Sequence, residues 1–321
     1  MSDGFFKQRQ VCKSVAQDIL QLIKISVCVR QDRGSLRFRW NVGSCRSTIG
    51  AHSRRFRPLR ESPLKMLKGK KGVILGVANK RSLAWFIAEQ CAAHGAEMIW
   101  CVANERFKQK AMPLAESLGV PEPIICDVSD DASIDEAFAK IKQVMPQIDF
   151  LVHAVAFANR EDLEGRFVDT SRDGYAMAQN ISSYSLTAVT KAAEPMMVDG
   201  SSVLTLTYIG SLRAVPNYNV MGVAKAALES SVRYLANDLG GQGIRVNAIS
   251  AGPIKTLSSA GVKGLREKLD LQEEKNSLQR NIVGEDVGKA AVFMLSNYSA
   301  AVTGEILYVD NGYHSCAATW A

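Results

Sequence analysis

Short apolar runs alternate with longer amphipathic segments through most of this chain, and few folds accommodate that alternation. Each run is rich in aliphatic and β-branched residues; the runs occupy residues 71–76, 96–103, 123–128, 149–156, 202–209, 244–250 and 305–310. Several segments between them, such as 83–94, carry apolar residues at helical spacing. Strands that alternate with helices build a parallel sheet covered on both faces. The pattern predicts an α/β fold, a doubly wound Rossmann-like parallel sheet of about seven strands in a single domain.

A glycine turn follows the first apolar run. Gly76 ends that run, Ser82 opens a helix, and Gly95 suits the position just after its last turn. A glycine turn before a helix N-terminus offers backbone N–H groups and a favourable dipole to a pyrophosphate. The dinucleotide fingerprint is incomplete, however, because the second and third glycines are absent from residues 77–83. Taken alone, the turn leaves nucleotide binding and a plain strand-to-helix connection equally open.

The residues at the ends of the second and third runs, and the histidine in the fourth, give weaker evidence for nucleotide binding. The second run ends at Ala103 and Asn104, without the acidic residue that binds an adenosine ribose, so it does not separate NAD from NADP. Asp127 lies at the carboxyl end of the third run and is equally suited to an adenine amino group or to capping the helix that starts at Asp130. His153 sits within the fourth run and is predicted to be a hydrogen-bonded core histidine.

Two tyrosines and a lysine stand together at one predicted junction of strand and helix. Tyr208 lies at the carboxyl end of the fifth run, at the sheet edge where ligands of open α/β sheets bind. Tyr218 and Lys225 are seven residues apart on the following helix, so they point the same way. A nearby ammonium is expected to lower the phenol pKa and to ease proton donation. The alternative is an amphipathic helix with a surface lysine and a half-buried tyrosine.

With residues 217–226 and 245–256, these features resemble the bacterial enoyl-acyl-carrier-protein reductases, a divergent branch of the short-chain dehydrogenase superfamily. The resemblance runs from about Leu67 to Ala318. Six residues separate Tyr218 and Lys225, as in enoyl reductases, whereas ordinary short-chain dehydrogenases have three. The incomplete glycine turn also resembles that family, whose Ser-Ile/Leu-Ala is matched from Ser82. The resemblance implies that NADH, rather than NADPH, reduces the trans-2 double bond of enoyl thioesters on acyl carrier protein during fatty acid biosynthesis, without a metal.

The resemblance also implies roles for individual residues. Tyr218 would bind the thioester carbonyl and stabilise the enolate, Lys225 would hold the nicotinamide ribose, and Tyr208 would line the acyl site. Ala158 matches a backbone position that contacts substrate. The other implied cofactor contacts are Gly76, Ser82, Leu83, Asp127, Val128, Val155, Ile254, Lys255, Thr256, Leu257 and Ser258. Two positions depart from the family. At Ala103 an adenine contact of many relatives is missing or replaced, and Ala156, where some relatives have glycine, would narrow the pocket slightly.

The segment from Pro253 to Arg280 is longer than a plain connection requires. Its apolar residues suit short helices, and the resemblance favours a helical lid over the acyl chain rather than an extra packing helix. Four basic residues of this segment suit an acidic carrier protein, although a solvated helix face explains them nearly as well: Lys255, Lys263, Arg266 and Lys268.

The first 65 residues differ in composition from the rest of the chain. They hold 14 of the 39 basic residues and 4 of the 32 acidic ones. Three interpretations remain open: a start upstream of a native Met66, an organelle transit peptide, or a basic arm for nucleic acid or membrane. We expect residues 1–65 to be a disordered extension, residues 66–321 to be the reductase domain, and contact of the tail with nucleic acid or membrane to be absent.

The remaining expectations concern the setting of the protein. Cys91, Cys101 and Cys126 lie in apolar elements and are predicted to be small core residues, which suits an intracellular reducing compartment. The resemblance implies the cytoplasm of a bacterium, with an organelle-targeted precursor as the alternative. The resemblance implies a homotetramer. The alternative function is a cofactor-sensing or nucleic-acid-binding protein on the same fold, but such a protein would not need the Tyr218 and Lys225 pair.

Overall fold

The computed structural model describes residues 64–254, 269 and 273–316. These residues belong to one compact unit, Glu61–Ala321. The predicted disordered extension therefore lies almost wholly outside the described residues. The same holds for the implied cofactor contacts Lys255, Thr256, Leu257 and Ser258, for the lid residues between them and Leu269, and for the basic residues Lys263, Arg266 and Lys268.

Seven parallel strands form the sheet of the described residues, in the order β3-β2-β1-β4-β5-β6-β7. The strands are β1 Lys71–Leu75, β2 Glu97–Val102, β3 Ile124–Ile125, β4 Ile148–His153, β5 Met197–Thr207, β6 Arg245–Ala251 and β7 Ile306–Val309. Every residue of β6 is buried, since helices cover both faces of the sheet. The predicted doubly wound parallel sheet is confirmed, and its order reverses between β1 and β4.

Helices connect these strands and pack on both faces. They are α1 Leu83–Ala93, α2 Glu105–Ser117, α3 Asp131–Val144, α4 Arg172–Gln179, α5 Ser185–Ala193, α6 Asn219–Gly240 and α7 Gly284–Leu295. Apolar residues of α1, α2 and α7 form one buried cluster with the sheet. Those of α3, α5 and α6 form a second cluster on the opposite face. None of the helices in the described part of the chain is long and apolar enough to span a membrane.

The third strand differs from its prediction. It has only two residues, whereas the apolar run extends over residues 123–128. Asp127 does not cap the following helix, because Asp130 is the capping residue and accepts from the Ala132 N–H. The Asp127 carboxylate instead accepts from the main-chain N–H and the hydroxyl of Ser129. The capping alternative for Asp127 is therefore wrong, since the nearer aspartate has that place.

His153 is the last residue of β4 and is fully buried. Its Nδ1 lies 2.9 Å from the Thr205 hydroxyl, and its Nε2 lies 2.8 Å from the Ser185 hydroxyl. Burial, followed by the charge of Lys225, lowers the pKa of His153 to about 3. The prediction of a hydrogen-bonded core histidine is confirmed. Buried Cys91, Cys101 and Cys126 likewise confirm the prediction of small core residues.

Because buried His153 is neutral, we expect the stability of the fold to decrease at acidic pH. Its folded pKa lies below the ordinary 6.5, so its contribution to stability is complete above that pH and is lost as the pH falls toward about 3. We expect the free energy of unfolding to fall by up to about 1.4 kcal/mol per pH unit in this window. The free energy of unfolding is measured by urea denaturation at about pH 7 and at about pH 4.5, for the parent and for His153→Gln. The variant should lose less stability between the two pH values, and an equal loss would contradict the assignment.

Candidate active site

The carboxyl ends of the parallel strands meet at one edge of the sheet. Gly76 follows β1, Val155 lies two residues after β4, and Tyr208 follows β5. The sheet order reverses between β1 and β4, and ligands of open α/β sheets bind at such a switch point. The fold therefore brings the predicted nucleotide turn and the predicted tyrosine to the same edge.

Gly76 makes the switch point possible. Its φ angle is +100°, a backbone conformation that residues with a side chain rarely adopt. A Cβ atom at this position would overlap the carbonyl oxygen of Ala154, just after β4. The turn after β1 can therefore approach the end of β4 only with glycine at position 76.

The N-terminus of α1 follows this turn. Ser82 caps the helix, because its hydroxyl oxygen accepts from the Trp85 N–H at 3.3 Å and its hydroxyl donates to the Asn79 carbonyl at 2.7 Å. The first N–H groups of a helix have no partner within it. Those of Leu83 and Ala84 thus stand at the positive end of the helix dipole, which suits a pyrophosphate. Gly76, Ser82 and Leu83 together fit the phosphates of a dinucleotide.

The other implied cofactor residues are placed at the same edge with different exposure. Asp127 is exposed, and Val155 and Ile254 are half-buried against the core. The Val128 side chain is buried in the core beneath the sheet. A contact of Val128 with an adenine would therefore use its main chain.

Tyr208 and Tyr218 contact each other edge to face. Their ring centroids are 4.9 Å apart and their planes are inclined at 67°. Gly210 leaves the space for this pair, since a Cβ there would lie 2.5 Å from a ring carbon of Tyr218 and 3.2 Å from one of Tyr208. The predicted meeting of the two tyrosines at the junction of β5 and α6 is confirmed.

Tyr218 stands on a tight turn before α6. The residues on either side, Asn217 and Asn219, have φ angles of 58° and 30°, in the left-handed region where asparagine is enriched. The Asn219 side chain donates to the carbonyl of Gly165 at 3.2 Å, which ties the turn to the loop after β4. The Asn-Tyr-Asn sequence therefore presents Tyr218 at the start of α6 in a fixed direction.

Lys225 lies seven residues, or about two turns, after Tyr218 and is only 5% exposed. Its amine donates to the carbonyl oxygen of Leu206 at 2.8 Å, near the end of β5. Burial lowers the pKa of Lys225 to about 8, against the opposing charge of Glu229. Lys225 is thus held at the sheet edge, where burial makes the protonated form of its amine less favourable.

The pKa of Tyr218 contradicts the sequence prediction. Burial, Tyr208 and Glu229, in that order, raise it above its ordinary value of 10.0. The pKa of Tyr208 rises to about 12 through burial and the proximity of Tyr313. The prediction that Lys225 lowers the phenol pKa is wrong for this arrangement, since desolvation favours the neutral phenol. Tyr218 therefore stays protonated near neutral pH and can donate a hydrogen bond.

Two residues of the site escaped the sequence analysis. Ser182 is fully buried in a π-helical turn, and its hydroxyl lies 2.8 Å from both the N–H and the carbonyl oxygen of Phe157. It thereby holds the loop that carries Ala158, which is half-buried. Glu229 is buried four residues after Lys225. Glu229 could have been found from the sequence, because it is a charged residue on the apolar face of α6. No sequence pattern indicates that Ser182 contacts Phe157.

Comparisons with known proteins agree with this geometry. The sequence profile described as Enoyl-(Acyl carrier protein) reductase matches residues 76–314. The chain is 51% identical over 253 residues to the enoyl-[acyl-carrier-protein] reductase [NADH] FabI of Bacillus cereus, a match that covers 78% of this chain and 99% of the relative. It is 49% identical over 250 residues to the enzyme of the same name from Rickettsia typhi, covering 78% and 96%.

Solved structures give the same result. The enoyl-acyl-carrier-protein reductase of Anaplasma phagocytophilum, in complex with NAD, superposes with a TM-score of 0.75 at 50% identity and covers 78% of this chain and 95% of that one. The Bacillus cereus reductase, with NADP+ and an indole naphthyridinone, has a TM-score of 0.76 at 52% identity, with 78% and 98% covered. The described fold and these enzymes therefore share one architecture.

Proposed function

Since this chain belongs to the enoyl-acyl-carrier-protein reductase family, we propose that it reduces the trans-2 double bond of enoyl thioesters on acyl carrier protein with NADH. The product is a saturated acyl thioester on acyl carrier protein, and we assign the reaction to the elongation cycle of fatty acid biosynthesis, as the family implies. The NADH preference is supported by the names of the relatives, which specify that cofactor.

The observation that carries this proposal is the contact of Tyr208 with Tyr218, together with Lys225 bound to Leu206 at the end of the same strand. This sheet edge also holds the Gly76 turn. When bound, NADH supplies the hydride that adds to the β-carbon of the enoyl chain. Negative charge then develops on the thioester oxygen. The protonated Tyr218 hydroxyl donates a hydrogen bond to that oxygen and stabilises the enolate. With help from Tyr218, a proton is then added at the α-carbon, which gives the saturated thioester.

The other residues of the site bind and orient the reactants in this proposal. Gly76, Ser82 and Leu83 hold the pyrophosphate, Asp127 and Val128 hold the adenine, and Lys225 holds the nicotinamide ribose. Val155 and residues 254–258 line the nicotinamide end. Tyr208 and the main chain at Ala158 contact the acyl thioester, and Ser182 supports that contact through Phe157.

A direct assay tests the proposed activity. The full chain is mixed with NADH and a trans-2-enoyl thioester, such as crotonyl thioester, and the nicotinamide absorbance is followed. We expect rapid oxidation with NADH and slower oxidation with NADPH. A saturated thioester of equal length is the matched control and should give no oxidation. No oxidation of either cofactor by the folded protein would overturn the proposal.

We also propose that residues 66–321 form the reductase domain and that residues 1–65 are dispensable for chemistry. The Bacillus cereus relative supports this division, because the match takes in 99% of the relative but only 78% of this chain. The matches lend no support to the alternative of a cofactor-sensing or nucleic-acid-binding protein. A Met66–Ala321 variant with the turnover of the full chain would agree with the division, and a loss of turnover in a folded variant would contradict it.

A cytoplasmic homotetramer completes the proposal. Large apolar or aromatic side chains stand exposed on or beside three successive helices, with Met177 on α4, Tyr184 just before α5 and Tyr234 on α6. We propose that these exposed side chains contact further copies of the chain. Light scattering after size-exclusion chromatography measures the number of copies.

A further inference from the structure

Glu229 is a charged residue in an apolar setting. It lies on α6 four residues after Lys225, and it is only 5% exposed. Glutamate is almost never buried to this extent unless a partner compensates its charge. The buried carboxylate of Glu229 therefore requires a hydrogen-bond donor or a positive charge nearby.

Two consecutive residues at the end of β5 hold Glu229 and Lys225. The Lys225 amine donates to the Leu206 carbonyl oxygen at 2.8 Å. The Thr207 hydroxyl donates to the Glu229 carboxylate at 2.6 Å. Residues four apart on a helix lie on the same face, so both charged groups lie on one face of α6, and each is bound to the end of the same strand.

The charges around this pair come from several elements. His153, on β4, faces Lys225 and is kept neutral partly by the charge of that lysine. Tyr218, at the start of α6, and Tyr308, on β7, both face Glu229. Since these neighbours are neutral near pH 7, Glu229 provides the negative charge that acts on Lys225.

We propose that Glu229 is a positioning residue, whose carboxylate, anchored by Thr207, is the counter-charge that keeps the buried Lys225 amine protonated and directed toward the sheet edge. The consequence for NADH binding rests on the proposed function, in which Lys225 holds the nicotinamide ribose. The charge pairing itself rests on the contacts with Leu206 and Thr207.

The pKa of Lys225 supports this role. Burial has already lowered it from 10.5 to about 8, and Glu229 acts in the opposite direction. Removing the negative charge leaves burial unopposed, so the pKa of Lys225 must fall further and the amine becomes neutral near physiological pH. A neutral amine binds the ribose more weakly because its hydrogen bond is no longer charge-assisted.

The pH dependence of NADH binding tests the proposal in the full chain. In the parent, the dissociation constant of NADH should rise as the pH passes about 8. In Glu229→Gln, which keeps the shape and the acceptor oxygen, this midpoint should move to lower pH. A displacement of about one pH unit would weaken binding up to about 10-fold above the parent midpoint. Fluorescence titration of NADH over this pH range measures it.

Glu229→Asp is the conservative control. It keeps the charge but shortens the side chain, so it should lose stability while its midpoint stays near that of the parent. If Glu229 acted through packing alone, neither variant would shift the midpoint of NADH binding, and only Glu229→Asp would lose stability. A parental midpoint in Glu229→Gln, or an equal displacement in both variants, would overturn the proposal.

A second measurement needs neither NADH nor turnover. Lys225→Met leaves Glu229 buried without its counter-charge, and adding Glu229→Gln removes that uncompensated charge. We expect the double variant to be more stable to urea than Lys225→Met, which a double-mutant cycle quantifies. Additive effects would overturn the charge pairing. Unchanged NADH binding in Lys225→Met would instead count against the proposed cofactor role of Lys225.

Discussion

Tyr218→Phe is expected to lower kcat by about 10²–10³-fold, the loss typical of removing one donor from an oxyanion site. The substitution removes the hydroxyl that donates to the developing enolate oxygen. The ring remains, and with it the edge-to-face contact with Tyr208. Binding of NADH, measured by fluorescence titration, should therefore remain close to that of the parent while steady-state turnover falls.

Tyr208→Phe is the matched control for this substitution. It removes one hydroxyl from the other ring of the same pair, and it should affect the Michaelis constant for the acyl thioester more than kcat. Parental turnover in Tyr218→Phe would contradict the assignment of Tyr218. An equal fall in kcat for both variants would assign the loss to the pair as a whole.

Lys225→Met is expected to weaken NADH binding by about 10- to 100-fold, since a hydrogen bond to a charged group contributes about 1.5–3 kcal/mol. Methionine keeps the length of the buried stem and removes the amine. The measurement belongs near pH 7, below the Lys225 pKa of about 8, where the parent amine is charged. Fluorescence titration of NADH gives the dissociation constants.

The control for Lys225→Met is Lys191→Met, at an exposed lysine on α5. That substitution removes the same charge from the chain without touching the sheet edge, so NADH binding should not change. Parental binding in Lys225→Met would mean that the ribose is held by another group. Since removal of Lys225 also leaves Glu229 uncompensated, unfolding of each variant is measured alongside.

Local patterns in the sequence were sufficient for much of the site. The β-branched run before Tyr208 and the helical spacing after Asn217 predicted a strand and a helix. Their junction joins Tyr208 to Tyr218 and holds Lys225 against the end of the same strand. Such predictions succeed because strand and helix periods are set within a few residues of the chain. The glycine turn at Gly76 and the cap at Ser82 are equally local, and both are confirmed.

Local reasoning failed where neighbouring residues compete or where distant ones meet. Asp127 and Asp130 both suit the cap of α3, and their order along the chain does not show which one the helix uses. The pKa of Tyr218 depends on burial and on the charge of Glu229, neither of which its spacing from Lys225 reveals. The contact of Ser182 with Phe157 joins residues 25 apart and has no periodic signature.

The amino-acid sequence alone determined the succession of strands and helices and the turn residues, because these follow from short-range backbone preferences. It also contains the reactive groups themselves. Tertiary structure decided which of those groups are desolvated and which charges face them. It buried Lys225 and Glu229 against Leu206 and Thr207, and it kept Tyr218 neutral. The physical reason is that pKa values depend on the surroundings of a group in space, and β5, α6 and their neighbours create those surroundings only when packed.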